Sequence, residues 1–147
     1  MNVWFKRSFA YILSLSFITV VYVYVLNIPA YISQAPDLVN NYYYKNAISS
    51  FILDIFLIAF YMSVSMYAAK FLNLNQKDNS QQLLAVILST TTVSSLFMVY
   101  FLYFGDKNSF FTKWFSRVGY KAVLYDVILV SSVYVMMIKI YNYILNV

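Results

Sequence analysis

Few residues in this chain can carry acid–base or metal chemistry. Histidine, glutamate and cysteine are absent, and the acids are Asp37, Asp54, Asp78, Asp106 and Asp126. Without histidine there is no ordinary general base near neutral pH and no Ser-His-Asp triad. Without cysteine there is no thiolate nucleophile, disulfide or sulfur-ligated zinc. This inventory predicts a non-enzymatic protein with no catalytic residue, cofactor or metal site. Asp54 and Asp126 nevertheless stand inside long apolar runs. A carboxylate at the centre of a membrane span costs about 2.5–3.5 kcal/mol on insertion scales, and less near an end. Acids in such places face a bundle interior or water, and they mark ion and proton paths. No basic residue shares the apolar run of Asp54, so a neutral, hydrogen-bonded carboxyl is its simplest state.

The neighbours of Asp54 sharpen that reading. Ser50, Tyr61, Ser65 and Ala68 fall on the same helical face as Asp54. A later apolar run carries Ser89-Thr90-Thr91-Thr92-Val93-Ser94-Ser95, six hydroxyls in seven residues. Small hydroxyl residues let membrane helices approach closely and bond to one another. Thr19 falls at a similar depth in the first run. The expected intramembrane polar cluster is therefore Asp54, Thr19, Ser94, Ser95, Tyr61 and Ser65. Helix packing is its expected purpose, with an ion or proton path as the sharper alternative. Counted at 1.5 Å per residue, Asp54 lies roughly 10 Å into its span and Asp126 roughly 6 Å. Asp126, the second intramembrane acid, is expected to reach the interface or to pair with Lys121 or Arg117. Asp54 is expected to matter more.

The elements that must hold these residues follow from composition. The chain of 147 residues is 63% hydrophobic and 10% charged. A soluble domain carries roughly 25% charged residues, so lipid must cover most of this surface. Four apolar runs, about 8–26, 47–69, 83–104 and 122–140, predict an all-α four-helix transmembrane bundle forming one domain over 1–147. The first run is too long for a typical signal-peptide core and is read as an uncleaved span.

The connections are read as follows. Asn27 to Lys45 is a loop broken by Pro29 and Pro36, with Tyr42-Tyr43-Tyr44 at headgroup level. Phe71 to Gln82 is a polar loop. Gly105 follows the third helix as a terminator. Asn108 to Lys121 mixes aromatic and basic residues and is expected to lie flat at the interface, with Trp114 among the headgroups. The interfacial anchors are Trp4, Lys6, Arg7, Trp114, Arg117 and Lys121.

Net charge is +5, spread in small groups at span ends. That placement predicts contact with the lipid bilayer rather than with nucleic acid. A homo-oligomer, or other membrane or capsid proteins, are the expected protein partners. With both termini on one side, the ten basic residues divide five to five across the membrane, so charge bias does not orient the chain. The frequent dominance of the first span favours both termini in the cytoplasm. Asp54-Ile-Phe-Leu-Ile-Ala and Asp126-Val-Ile-Leu-Val-Ser each begin nine positions after a basic residue, Lys45 or Arg117. This suggests two hairpins in parallel repeat.

Two family patterns fail at their key residues. Small multidrug transporters require a glutamate in the first helix, which has no acid here. Tyr125-Asp126 matches half of the presenilin-like protease pattern, and the Gly-x-Gly-Asp half is missing. The stretch from Phe115 to Val130 resembles a segment of uncharacterised multi-pass proteins of nucleocytoplasmic large DNA viruses. That resemblance covers about 16 of 147 residues. It implies an integral protein of a virion's internal membrane or of host membranes, and it implies no activity. The expected function is a structural or assembly component of such a membrane. The alternative is a small oligomeric ion or proton channel or transporter using Asp54.

Overall fold

A computed structural model describes residues 2–145 of the chain. Among the described residues, four helices are long and apolar enough to cross a membrane: Val3–Val25, Ala47–Phe71, Asn79–Phe104 and Tyr120–Tyr143. They form an all-α bundle. The first span is α1 (Val3–Thr19), continued by a wider π-helical turn over Val20–Val25. The cap then contributes α2 (Ile28–Ser33), α3 (Pro36–Val39) and a π-helical tyrosine turn, Asn40–Lys45. The second span is α4 (Ala47–Phe71), and the third is α5 (Asn79–Phe104). The short amphipathic α6 (Phe110–Val118) precedes the last span, α7 (Tyr120–Ile140), which runs on into Tyr141–Leu145.

The first and third spans begin earlier than hydropathy places them, because polar residues cap them, while α4 begins at Ala47 as expected. The Asn2 side chain accepts from the Trp4 N–H, so α1 takes in Lys6 and Arg7. The Asp78 side chain accepts from the Ser80 N–H, and α5 therefore includes Gln82, which the sequence reading left in the preceding loop. Each cap satisfies an N–H that helix geometry leaves unpaired.

The loop expected over Asn27 to Lys45 is mostly helical. Pro29 and Pro36 stand in the first turns of α2 and α3, where a fixed φ and a missing N–H cost nothing. They start helices here rather than break them. Asn27 and Gln34 take the left-handed conformation that turns the chain between elements.

In space, α4 packs on α5, α5 on α7, and α7 on α1. Ala10, Ala85 and Ala122 are completely buried, and their small side chains allow close approach of the spans. Consecutive spans α1 and α4 meet far less. The Tyr11 hydroxyl crosses their seam to donate to the Ile55 carbonyl, while Tyr22, in the π-helical turn after α1, and Ser132 of α7 share a 2.7 Å hydrogen bond. Outward-facing Phe56, Tyr67, Leu96 and Leu124 give the bundle its lipid-facing surface.

The cap elements α2, α3, the tyrosine turn and α6 all lie where α4 and α7 begin. Gly119 makes the junction between α6 and α7 with φ +64° and ψ −138°, a conformation that suits glycine alone. Gly105 ends α5 for another reason. Its φ is ordinary, but a Cβ there would collide with the Thr112 hydroxyl and the Phe101 carbonyl. α6 is thus folded tightly back over the end of α5. Its apolar face, with Trp114, Phe115 and Val118 buried, packs on protein rather than on lipid.

Candidate functional site

Asp54 lies in the second turn of α4 and is 5% exposed. Its partner comes from the cap: the Tyr42 hydroxyl donates to Asp54 Oδ1 at 2.5 Å. The tyrosine turn makes this reach possible. Asn46 Nδ2 donates to both the backbone and side-chain oxygens of Asn41, at 2.9 and 2.7 Å, and staples the wide turn shut. Successive tyrosines then point different ways. Tyr42 reaches Asp54, Tyr43 enters the core and shares a 2.6 Å hydrogen bond with Tyr125, and Tyr44 stays exposed against Tyr24. The expected row of three headgroup tyrosines is therefore one outward ring and two inward ones. Burial first, and the nearby Asp54 carboxylate second, push the Tyr42 hydroxyl far above the usual tyrosine range. Burial and the neighbouring Tyr125 do the same to Tyr43. Both hydroxyls stay protonated at physiological pH.

Asp126 lies in the second turn of α7. Its Oδ2 accepts from Ser94 of α5 at 2.6 Å and from Tyr61 of α4 at 3.4 Å. One carboxyl thereby joins three spans. It does not pair with Lys121 or Arg117. Arg117 instead meets Asp37 of α3 in an exposed ion pair that ties α6 to the rest of the cap. The Arg117 guanidinium hydrogen bond holds the Asp37 carboxyl below the usual aspartate range.

Both intramembrane acids line one cavity of about 40 Å³. Tyr42, Tyr43, Tyr61 and Tyr125 also line it, Leu57, Ile58, Leu129 and Val130 form apolar walls, and Phe110, Phe111 and Trp114 of α6 lie over it. A water needs roughly 10–15 Å³ on this measure, so a few waters fit. A drug-sized ligand, at roughly 300 Å³ or more, does not. Tyr42, Phe110 and Phe111 also line a second hollow of about 240 Å³, open at the cap beside Asn41, Asn46 and Ser49. The Tyr42 ring stacks on Phe110 with centroids 4.9 Å apart. One layer of aromatic side chains therefore separates the acids from an outer, polar-edged recess. No family model, curated protein or solved structure matches this chain.

The residues expected to form one polar cluster are distributed differently. Tyr61 and Ser94 meet at Asp126 rather than at Asp54. Ser65 accepts from Gln82 Nε2 at 3.2 Å, about one helical turn beyond Tyr61 toward the other end of the bundle. Thr19 is buried in α1 and Ser95 is partly buried in α5, and neither bonds to an acid. Trp114 is 7% exposed, roofing the cavity with its ring 6.3 Å from that of Tyr125. Its ring therefore packs on protein at the cap end of the bundle. Trp4, by contrast, is 77% exposed.

The sequence reading missed Tyr42, Tyr43 and Tyr125 as parts of the site. The Tyr125-Asp126 dipeptide was the available signal for one of them. Nothing in hydropathy or periodicity points to Tyr42, because its orientation depends on the π-helical turn.

Proposed function

We propose that this multi-pass membrane protein carries protons, with Asp54 and Asp126 as the groups that take them up and release them. The observation that carries this reading is the shared cavity: acids from two spans face one water-sized space, and each is held only by hydroxyl groups. Among the described residues neither acid has a basic partner. Two uncompensated carboxylates inside a lipid-embedded bundle are costly. Protons are the smallest compensation, and the cavity offers room for the waters that would deliver them. Exchange with bulk water runs through the thin wall of Tyr42, Phe110 and Phe111 into the outer recess.

A structural or assembly role accounts for the hydrogen bonds of Asp126 across three spans but not for the opening of both acids on one water-sized cavity. Hydrolysis between two carboxyls is the other chemistry such a pair performs, but a cavity of about 40 Å³ gives a peptide no place to lie. Proton carriage is the better fit.

Infrared difference spectroscopy of the full chain in nanodiscs tests this. Protonated carboxyls should give C=O bands that change with pH and shift in D₂O. Asp54→Asn should remove one component and Asp126→Asn another. A spectrum without such bands at any pH would defeat the proposal. Bands governed by sodium or potassium at constant pH would replace the proton with a metal cation.

A further inference from the structure

Beyond the cavity, the interior face of α5 carries further polar residues, interrupted by Ala85 and Val86. Gln82, Ser89, Thr90 and Ser94 are all buried on it. Ser94 bonds to Asp126 at the cap end, and Gln82 bonds to Ser65 near the opposite end. Two of these side chains have unmet hydrogen-bonding capacity. Thr90 is completely buried, and its hydroxyl has no partner; Gln82 is 6% exposed, and its Oε1 has none. The neighbouring Thr91 and Thr92 behave differently, turning their hydroxyls back to the Ile87 and Leu88 carbonyls. A buried polar atom without a partner costs free energy unless water supplies one. Ser131 Oγ on α7 is likewise buried and unpartnered. Since α5 and α7 are antiparallel, the Ser94–Asp126 contact sets their register. Counting from it places Thr90 roughly 6 Å and Ser131 roughly 7 Å farther from the cap.

We infer that ordered waters at Thr90, Ser131 and Gln82 extend the two-acid cavity into a hydrogen-bonded proton path reaching the opposite membrane face. The inference rests on the proton-carrying reading of the acids and adds the second exit. Gln82 stands in the first turn of α5, about 18 Å along the helix from Ser94, so buried polar groups stand near both ends of that length, with Ala85 and Val86 between Gln82 and Ser89. Thr90 lies about 6 Å from Ser94 and about 12 Å from Gln82 along that line. Each water on the path accepts a proton from one neighbour and donates one to the next. No net chemistry occurs, and no cofactor is needed.

The test is proton flux through the full chain in liposomes containing a pH-sensitive dye, driven by a potassium diffusion potential. Thr90→Val keeps the side-chain shape and removes the hydroxyl, and it should slow flux by about tenfold. Thr90→Ser should restore it. Gln82→Leu should also slow flux, while Thr91→Val, a lipid-side control, should not. The infrared carboxyl bands of Asp54 and Asp126 should persist in Thr90→Val, which separates the path from the acids. Unchanged flux in Thr90→Val, or no flux in the parent protein with its carboxyl bands present, overturns the path and leaves the acid site standing. Absence of the bands in the parent overturns the reading beneath it.

Discussion

Asp54 and Asp126 occupy equivalent turns of parallel helices, yet they are held in unlike ways. Asp126 is fixed by Ser94 and Tyr61, which stand on two other spans. Asp54 has a single tyrosine, and that tyrosine belongs to the cap. The first arrangement moves only if the bundle moves. The second can be released by one side chain. The difference separates two tasks that a proton-carrying pair requires: one acid that holds the spans in register, and one that communicates with the outside.

The largest effect that would sharpen this contrast is on stability. Asp126→Leu strands two buried hydroxyls and should lower unfolding free energy in detergent by about 2 kcal/mol. Asp54→Leu strands one and should cost about 1 kcal/mol. Denaturation of both variants under the same conditions gives the comparison, and a larger loss at Asp54 would break it.

A kinetic effect comes next. Tyr42→Phe keeps the ring on Phe110 and removes the donor to Asp54. The Asp54 carboxyl should exchange with D₂O a few-fold faster, the change expected from losing one hydrogen bond of about 1 kcal/mol. Exchange at Asp126 should stay as it was. Equal acceleration at both acids would mean that the cap does not distinguish them.

The smallest effect concerns the Asp37–Arg117 pair, which is exposed and therefore contributes modestly. Because Arg117 lowers the Asp37 pKa, the pair's contribution is fully present above the unfolded aspartate value of about 3.9. It is lost as pH falls through the lower folded value. Amide exchange in α6 should therefore rise on acidification through that window, and Asp37→Asn should show the faster exchange already at neutral pH. An α6 equally protected in both forms at every pH would show that the ion pair does not hold the cap.

Hydropathy was sufficient to reveal the four spans, because about 20 apolar residues in a row have few other uses in a folded chain. It under-read their ends, since Lys6, Arg7 and Gln82 are polar residues that helix caps nonetheless draw into α1 and α5. Both acids stood out by chemical type and depth. Their partners did not, for a geometric reason. Periodicity states which residues share a face of one helix, but not which neighbouring helix that face meets. Ser94 and Tyr61 were recognisable as interior residues, while their meeting at Asp126 depends on how three helices are rotated. Tyr42 lay further out of reach, because a tyrosine in a short connection normally anchors at headgroups. Only the closed π-helical turn sends it inward.

The loose seam between α1 and α4 bears on how the molecule is made. Ribosomes deliver α1 first, but the span against which it packs most fully is the last one. During synthesis the early hairpin has little to close on, and α1 must wait in the bilayer for α7. The later helices α4, α5 and α7 can associate in order, each against the one before or soon after it. The first helix then docks onto a nearly finished body. A nascent chain stalled before α7 would leave α1 adrift, with its inward Ser14 and Thr19 available to membrane quality-control factors that survey unassembled spans.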